Sequence, residues 1–287
     1  MKHSKEAEMA VKKGKALVTG ASSGIGRETA RRLAQEGFQV IASARRQERL
    51  DELAKENHNI ISRPVDLSDT QELEKFCQEI STLSEPVSVL INNAGFSVRG
   101  AIEDVSLASI RRLFEVNVFG LIKVTQACLP AMRRVRNGTI VNLSSVVGKF
   151  PYPMSGPYAA TKHAVEAISD ALRMEVRPFG IRVVTIRPGV IGTEFNDVAN
   201  MLTGDLLSRT DPDYKPVYQA YGAAMGKLFS NIVIPGPEII ANLILEAVLS
   251  DSPMAAYCAG PMVEEILGPR TKLDDDSFFQ FMSEKTG

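Results

Sequence analysis

The chain has 287 residues, enough for one large domain with a substantial hydrophobic core. With 33 basic and 34 acidic residues the net charge is −1, which disfavours a nucleic-acid-binding protein that depends on a large basic surface. The three cysteines are far apart and fit no metal or disulfide pattern, so no metal site is predicted and a cytoplasmic location is expected. Residues 1–14 are charged and resemble a flexible leader rather than a signal peptide, and no apolar stretch approaches the ~20 residues of a membrane helix.

Short apolar runs alternate with amphipathic stretches along the first two thirds of the chain. The predicted strands are residues 16–20, 38–44, 59–67, 87–95, 138–145 and 180–189. Three predicted helices cover residues 25–36, about 107–134 and about 158–177. A further helix carries Leu50 and Leu53 on one face. Another opens with a Ser68/Gln71 capping box and carries Leu73, Phe76 and Ile80. Six such alternations predict an α/β fold, a doubly wound parallel sheet, which binds ligands at the carboxyl ends of its strands.

The first predicted strand runs into a glycine-rich turn, Thr19–Gly26, that opens the first helix. Glycine permits a tight turn and a close approach of ligand to backbone, and the free N–H groups at a helix start attract a pyrophosphate. The G-x-x-x-G-x-G spacing alone is equally compatible with a structural turn. Its position after the first strand of an α/β sheet favours a nucleotide.

Two arginines follow the second predicted strand, where an NAD site usually carries an acid for the ribose 2′-OH. Arg45 and Arg46 can instead bind a 2′-phosphate, so the sequence predicts NADP(H) in preference to NAD(H). The alternative is a solvated helix start. Asp66, after the third strand, can accept a hydrogen bond from adenine or be a turn residue. Asn93-Ala94-Gly95, after the fourth strand, is a common turn sequence, and only its position at a strand end favours a functional role.

Tyr158 and Lys162 are four residues apart and face the same way from one helix. A nearby ammonium and an oxidised nicotinamide would lower the pKa of the phenol, which is otherwise too high for catalysis near neutral pH. Ser145 ends the fifth strand and can hold a substrate oxygen, with Ser144 as its nearest competitor. Asn117 is interpreted either as a polar kink in its helix or as part of a water relay to Lys162. Taken one at a time, these residues also have structural explanations: the tyrosine and lysine can be a surface pair on a helix, and the serines can simply end a strand.

Two other classes of protein are alternatives for this set of residues. A serine hydrolase is disfavoured because Ser145 does not lie in a G-x-S-x-G elbow and His163 lies a quarter-turn from the Tyr158/Lys162 face. A non-catalytic NADP-sensing or scaffold protein remains the alternative of another class, although an intact set of catalytic residues speaks against it.

Taken together and in chain order, these residues resemble the short-chain dehydrogenase/reductase family, in its shorter oxidoreductase branch with hydroxysteroid and retinol dehydrogenase-like members. The resemblance covers residues 14–193 and rests on Thr19–Gly26, Asn92–Gly95, Asn117, Ser145, Tyr158, Lys162 and Pro188-Gly189 with Thr193. Ser23 departs from the basic residue that NADP-preferring members often have between the glycines.

The resemblance implies a single Rossmann-type catalytic domain over residues 15–260 with about seven strands, the last at 255–258, followed by an extension over residues 261–287. It implies a catalytic tetrad of Asn117, Ser145, Tyr158 and Lys162, with Tyr158 as the acid/base of hydride transfer and Lys162 also on the nicotinamide ribose. It implies a homodimer or homotetramer. The residues expected to contact the cofactor are Gly20, Ser22, Ser23, Gly24, Ile25, Gly26, Arg45, Arg46, Asp66, Leu67, Asn93, Ala94, Gly95, Tyr158, Lys162, Pro188, Gly189, Ile191 and Thr193.

The segments around the tetrad are expected to select a small-molecule carbonyl or alcohol. Apolar residues flank the site (Phe96, Val147, Phe150, Tyr152 and Met154), and a helical lid over residues 195–235 adds Met201, Leu202, Leu206, Tyr214, Tyr218, Tyr221, Met225 and Phe229. Such walls suit a lipophilic substrate of steroid, retinoid or fatty type, unless half of these residues only pack the lid against the sheet. The alternative is a 3-oxoacyl thioester reductase, for which Arg111, Arg112, Arg133, Arg134 and Arg136 are candidate docking residues.

The tail from Leu273 contains three phenylalanines, Phe278, Phe279 and Phe281. We expect it to dock on its own domain or on a neighbouring subunit. A membrane-surface anchor is a weaker interpretation because acidic residues precede the phenylalanines.

Overall fold

A seven-stranded parallel sheet runs through the centre of the computed structural model, which describes residues 13–197, 199 and 210–286. The strands are β1 (Lys15–Thr19), β2 (Gln39–Ala44), β3 (Ile60–Pro64), β4 (Val87–Asn92), β5 (Gly138–Leu143), β6 (Ile181–Pro188) and β7 (Ala256–Ala259). Their order in the sheet is β3-β2-β1-β4-β5-β6-β7, with every neighbouring pair parallel. The doubly wound α/β fold predicted from the sequence is therefore confirmed, and β7 begins one residue later than expected.

Helices connect the strands and cover both faces of the sheet. They are α1 (Gly24–Gln35), α2 (Gln47–Glu56), α3 (Thr70–Ser81), α4 (Leu107–Phe114), α5 (Leu121–Val135), α6 (Gly156–Val176), α7 (Lys215–Phe229), α8 (Glu238–Leu249) and α9 (Asp275–Thr286). Shorter helical pieces are the π-helical turns Glu115–Gly120 and Val263–Leu267, the 3₁₀ turns Val146–Gly148, Arg177–Phe179 and Pro212–Tyr214, and the single turn Gly268–Arg270; residues 194–197 are also helical.

The core consists of two apolar layers, one on each face of the sheet. On one face Leu33 of α1 and Ile240 and Ile244 of α8 pack against the strands. On the other face the strands meet residues of α3, α5 and α6, including Phe76 and Met132. Burial of the strands on both faces explains their nearly continuous apolar sequences.

Two local predictions on the first half of the chain need correction. The capping residue of α3 is Asp69, whose carboxylate accepts hydrogen bonds from the N–H groups of Gln71 and Glu72 at 2.9 Å each. Ser68 donates to Asp66 instead, so the predicted Ser68/Gln71 capping box is wrong by one position. The long helix predicted over residues 107–134 is interrupted by the π-helical turn Glu115–Gly120, which contains Asn117.

The C-terminal residues pack against the body of the α/β fold. Phe278 and Met282 of α9 are buried in a cluster with Phe150, Met262 and Ile266, and the Phe278 ring meets the Phe150 ring edge-on at 6.2 Å. Docking of the tail on its own domain is thus confirmed for these residues, whereas Phe279 is exposed. The predicted leader falls, apart from Lys13 and Gly14, outside the described residues. Among those that are described, no helix is both long and apolar enough to cross a membrane.

Candidate active site

The glycine turn lies between β1 and α1 at the carboxyl edge of the sheet. Gly20 and Gly24 have φ angles of +69° and +54°, a region that side-chain-bearing residues rarely adopt. A Cβ atom at Gly20 would lie 2.8 Å from the Ala94 Cα, and one at Gly26 would overlap the Asn93 side chain and the Gly20 carbonyl. No side chain caps the start of α1, whose first turn carries no acid. The result is a backbone cradle next to free helix N–H groups.

Thr19 and Asn93 hold this turn against the end of β4. The Asn93 side-chain amide donates to the carbonyl oxygens of Thr19 and Gly20 at 2.9 and 3.2 Å. The Thr19 hydroxyl accepts from the N–H groups of Asn93 and Ala94, each at 3.1 Å. Four hydrogen bonds therefore hold the glycine turn against the segment that follows β4. Sequence reasoning treated Asn93 as a cofactor contact and missed this supporting role.

Arg46 bonds directly to the glycine turn. Its guanidinium donates to the hydroxyl of Ser22 at 3.1 and 3.2 Å and to that of Ser23 at 2.8 Å. It also forms a 2.9 Å ion pair with Glu194, which Arg49 contacts as well. Hydrogen bonds from Arg49 and Arg46 hold the pKa of Glu194 below its usual range. Glu194 could not be recognised from the sequence, because its partners lie about 150 positions earlier.

Arg45 lies apart from Arg46, in a cleft of about 540 Å³ beside the carboxyl end of β3. Asp66 lines the same cleft and accepts hydrogen bonds from the Ser68 N–H at 2.9 Å and the Ser68 hydroxyl at 2.7 Å. Burial alone would raise the pKa of Asp66, but these bonds keep it below its ordinary value. The neighbouring Leu67 is buried, and a Cβ at Gly120 would lie 3.1 Å from its Cβ.

The segment after β6 closes the cradle from the other side. Gly189 donates its N–H to Ala259, and a Cβ there would overlap the Pro261 carbonyl. Ile191 is buried, and its carbonyl accepts from the Asn196 amide at 3.0 Å. The Thr193 side chain lies 3.1 Å from the place where a Cβ of Gly24 would be. This segment therefore meets the glycine turn at one end and the lid at the other.

Ser145, Tyr158 and Lys162 come together where β5 and α6 meet. The Ser145 hydroxyl accepts from the Val147 N–H at 3.3 Å and donates to the Pro188 carbonyl at 3.4 Å. It also interacts with the Tyr158 phenol, whose pKa it lowers. The Lys162 ammonium lies 5.7 Å from the centre of the Tyr158 ring and donates to the Leu143 carbonyl at 2.6 Å. The Ser144 hydroxyl donates to the Ser145 carbonyl at 3.5 Å and helps to lower the pKa of Glu166.

Asn117 lies on the opposite side of Lys162, within the π-helical turn. Its side-chain amide donates to the Phe96 carbonyl at 3.0 Å and to the Thr161 hydroxyl at 3.1 Å, and its carbonyl accepts from the Phe96 N–H at 3.1 Å. A Cβ at Gly95 would lie 3.1 Å from the Asn117 Oδ1 and 3.8 Å from the Lys162 Nζ. Asn117 therefore ties α6 to the segment after β4, and these bonds do not go to the backbone of its own helix.

Burial dominates the proton equilibria of the two central groups. It lowers the pKa of Lys162 to about 8, although the Glu166 carboxylate opposes the shift. It raises the pKa of Tyr158, assisted by Tyr152 and opposed by Ser145 and Arg99. The pKa of Tyr158 therefore shifts in the direction opposite to the one expected from the lysine alone. Burial destabilises the phenolate more than the neighbouring groups stabilise it. The phenol is thus held in its protonated form.

Aromatic side chains form the wall next to Tyr158. The Phe195 ring packs on the Tyr158 ring at 5.7 Å between centres, and Tyr152 stacks on Tyr221 of α7 at 6.1 Å. Met154 packs with Tyr218, Tyr214 and Tyr221. Val147 and Phe150, expected to flank the site, are buried in the cluster that contains the C-terminal residues, against which Tyr152 and Tyr158 also pack. Met201, Leu202, Leu206 and the side chain of Phe229 lie outside the described residues.

Polar contacts attach the lid to the segment after β4. The Tyr218 hydroxyl donates to Asp104 at 2.8 Å and accepts from the Ala101 N–H at 2.7 Å, and the Thr210 hydroxyl donates to Asp104 at 3.2 Å. Arg99 donates to the Asn196 side chain at 3.1 Å. Sequence reasoning missed Asp104 and Arg99, since each is recognisable only through a partner about a hundred positions away.

The sheet with a glycine cradle at its carboxyl edge defines a dinucleotide-binding protein. A family model described as short chain dehydrogenase matches residues 14–201, and the chain belongs to the short-chain dehydrogenase/reductase family. It is 36% identical over 242 residues to an uncharacterized oxidoreductase, YbbO, of Escherichia coli, covering 84% of this chain and 83% of that protein. It is 38% identical over 239 residues to dehydrogenase/reductase SDR family member 7B of Bos taurus, covering 77% and 73%. The protein is accordingly an oxidoreductase that acts on CH–OH donors.

Solved structures agree with this assignment. A short-chain dehydrogenase from Streptomyces avermitilis superposes with a TM-score of 0.79 at 29% identity, covering 96% of both chains. One from Sphingobium yanoikuyae, in complex with NADPH, gives 0.72 at 25% identity over 94% and 95%. A bulky-bulky ketone specific alcohol dehydrogenase from Comamonas testosteroni gives 0.71 at 25% identity over 96% and 95%.

The residues of this chain fit a nicotinamide dinucleotide. Gly20 and Gly26 allow the turn to pack tightly against Asn93 and Ala94, and the start of α1 offers N–H groups to a pyrophosphate with no competing side-chain cap. Together with the cofactor held by the structural relative, this supports a nicotinamide cofactor.

Proposed function

We propose that the enzyme interconverts a lipophilic carbonyl compound and its alcohol with NADP(H), using Tyr158 as the acid/base. The observation that carries the proposal is the position of the Lys162 ammonium, buried 5.7 Å from the centre of the Tyr158 ring on the same helix face, with Ser145 interacting with the Tyr158 phenol. Main-chain groups of Val147 and Pro188 hold the Ser145 hydroxyl, and the Leu143 carbonyl holds the Lys162 ammonium, so these two groups are preorganised.

In the reducing direction the substrate oxygen lies between the Ser145 hydroxyl and the Tyr158 phenol. The bound nicotinamide supplies the hydride. Tyr158 donates its proton to the developing alkoxide, which suits a phenol whose pKa burial has raised. Lys162, whose ammonium is buried, stabilises the phenolate left behind and holds the nicotinamide ribose, and Asn117 keeps α6 in register with the segment after β4.

Preference for NADP(H) follows from the arginines after β2. Arg46 already bonds to Ser22 and Ser23 of the glycine turn, where a ribose 2′-phosphate would lie, and a guanidinium suits that group. Arg45 and Asp66 line the neighbouring cleft on the adenosine side. Initial rates with NADPH and NADH test this preference, and a clear advantage for NADH would contradict it.

A lipophilic substrate is supported by the aromatic wall of Phe195, Tyr152 and Tyr221. The ketone specificity of the Comamonas relative points in the same direction. Screening NADPH oxidation against apolar and small polar ketones tests this part of the proposal. Activity confined to small sugars would contradict it.

The decisive variant for the chemistry is Tyr158→Phe. We expect turnover to fall by about 10²- to 10⁴-fold, because the proton donor is removed, while NADPH binding measured by fluorescence titration is retained. Tyr257→Phe is the matched control, since the Tyr257 hydroxyl bonds to the Met254 N–H in the core. Unchanged turnover in Tyr158→Phe would refute the acid/base role.

Assembly as a homo-oligomer is part of the proposal. Leu107 and Phe119, on the helical region around Asn117, are 59% and 48% exposed, which suits an interface between copies of the chain. Light scattering coupled to size exclusion tests this, and a monomer at all concentrations would contradict it.

A further inference from the structure

Glu166 is a buried carboxylate of α6 that has no part in the proposed proton transfer. It lies one helical turn after Lys162, on the same face of the helix. The Arg187 guanidinium donates to both of its oxygens, at 2.9 and 2.7 Å, and the Lys149 ammonium lies 3.1 Å from one of them. Because the Glu166 side chain is only 5% exposed, protein groups rather than water hold its charge.

The two cationic partners of Glu166 adjoin the segments that hold the Ser145 hydroxyl. Arg187 precedes Pro188, whose carbonyl accepts from that hydroxyl at 3.4 Å. Lys149 directly follows the 3₁₀ turn that begins after Ser145. Glu166 therefore joins α6 both to the end of β6 and to the turn after β5.

The turn after β5 packs closely on this part of α6. A Cβ at Gly148 would lie 2.5 Å from the Ser144 Oγ and 3.1 Å from both the Glu166 Cγ and the Lys162 carbonyl oxygen. The Glu166 carboxylate therefore has little room to shift relative to Lys162.

The charged groups around Glu166 come from three elements. Arg187 belongs to β6, Lys149 follows the turn after β5, and Lys162 lies on α6 itself, while Cys258 of β7 interacts with Arg187. The carboxylate raises the pKa of Lys162 against the larger effect of burial, which lowers it to about 8. One anion thus lies among three cations.

The proposed reaction needs the charge of Lys162. Its ammonium lies 5.7 Å from the centre of the Tyr158 ring and stabilises the phenolate, which a neutral amine does not do. A pKa of about 8 is only about one unit above neutral pH, and a nearby opposite charge shifts a pKa by about one to three units. Without the Glu166 carboxylate, about half of Lys162 or more would be neutral at about pH 7.

We infer that Glu166 is a positioning residue, which keeps Lys162 charged and holds the Ser145 hydroxyl in place through its two cationic partners. It acts through these two groups rather than on the substrate. The inference rests on the proposed function, in which both groups serve the proton transfer from Tyr158.

The test compares the pH profiles of Glu166→Gln and Glu28→Gln. Glu28 is the matched control, because it is also a buried carboxylate paired with two cations, Arg31 and Arg32, but within α1. We expect kcat/KM for ketone reduction by NADPH to fall with rising pH about one unit earlier in Glu166→Gln, a loss of about tenfold at about pH 9. Glu28→Gln should keep the wild-type profile, and Glu166→Asp, which retains the charge, should restore most of it.

Lys149→Met tests the same inference with the opposite sign. Its side chain is 34% exposed, so the fold should tolerate the change. Removal of this cation leaves the Glu166 carboxylate less neutralised, which favours the charged form of Lys162. The fall in kcat/KM should therefore move to a higher pH.

Urea unfolding provides a readout that does not require turnover. In the wild type the free energy of unfolding rises with pH above about 8, where folded Lys162 has released a proton that the unfolded chain still binds. In Glu166→Gln this rise should begin about one pH unit lower, and it should be absent from the double variant Glu166→Gln/Lys162→Met.

An unchanged pH profile in Glu166→Gln, or an unchanged onset of this rise, would overturn the inference and leave the ion pairs of Glu166 as a structural clamp. A shift of the Lys149→Met profile to lower pH would also overturn it. Failure of the proposed function is recognised separately, since Tyr158→Phe would then retain turnover.

Discussion

The two halves of the active site are held together in different ways. In the cofactor half, glycines pack backbone against backbone, and Thr19 and Asn93 lock the turn through main-chain groups. In the substrate half, single side-chain contacts such as Asp104 with Tyr218 join segments more than a hundred positions apart. The cofactor half therefore has little tolerance for change, whereas the substrate half can be altered with the cofactor site intact.

The largest effect is expected from a methyl group in the cradle. In Gly26→Ala the new Cβ overlaps the Asn93 side chain and the Gly20 carbonyl, neither of which can retreat without breaking the turn. We expect NADPH binding to weaken by about a hundredfold or more, because such overpacking costs about 1–3 kcal/mol and displaces the pyrophosphate cradle as well. Fluorescence titration with NADPH measures the loss.

The matched change in the substrate half is Gly222→Ala in α7. A Cβ at Gly222 has nothing within 4 Å, and alanine favours a helix by about 1 kcal/mol over glycine. We expect unchanged NADPH binding and an equal or higher melting temperature. Similar losses in the two alanine variants would remove the contrast between the halves.

The next effect tests the attachment of the lid. Asp104→Ala deletes the acceptor of the Tyr218 and Thr210 hydroxyl groups, and loss of such buried partners costs about 1–3 kcal/mol. We expect KM for the carbonyl substrate to rise about tenfold, while the Kd for NADPH changes less than about twofold. Asp69→Ala, at the exposed cap of α3, controls for the loss of a carboxylate. A parallel rise of both constants would show that the halves are coupled.

A pH experiment sharpens the description of Lys162. Burial lowers its pKa from 10.5 to about 8, so between these pH values the unfolded chain binds a proton that the folded chain has released. The contribution of this group to the free energy of unfolding therefore rises with pH through that window, by about 1 kcal/mol per pH unit, and the penalty of the buried ammonium is fully present below it. Urea unfolding at several pH values should show this slope in the wild type and its loss in Lys162→Met; equal slopes would contradict the assignment.

The smallest effect on nucleotide affinity is expected at the ion pairs that Glu194 forms with Arg46 and Arg49. Glu194→Gln removes the carboxylate that neutralises Arg46 and Arg49, the first of which we propose to bind the 2′-phosphate. Because the groups are about 40% exposed, solvent screens them and the gain is modest. We expect affinity for adenosine 2′,5′-bisphosphate to rise about twofold to fivefold, with no change for AMP. Titration calorimetry distinguishes the two, and an equal change for both would place Glu194 outside this interaction.

The fold was predictable from the sequence because buried parallel strands and amphipathic helices leave strong periodic patterns. The glycine turn and the Tyr158/Lys162 pair were also visible, since a steric requirement and a fixed helical spacing restrict residue types locally. Arg99, Asp104 and Glu194 were not, because their roles exist only through partners that folding brings near. The direction of the Tyr158 pKa likewise depends on burial, which the motif does not encode.

The π-helical turn at Glu115–Gly120 limits the insertions and deletions that this part of the chain can tolerate. A π turn amounts to one extra residue within an α-helix, so α4 and α5 are out of phase with each other. Deleting a single codon there would fuse them into one regular helix and rotate Asn117 away from Phe96 and Thr161. Insertions and deletions should therefore be tolerated far less in this turn than their distance from the glycine cradle suggests.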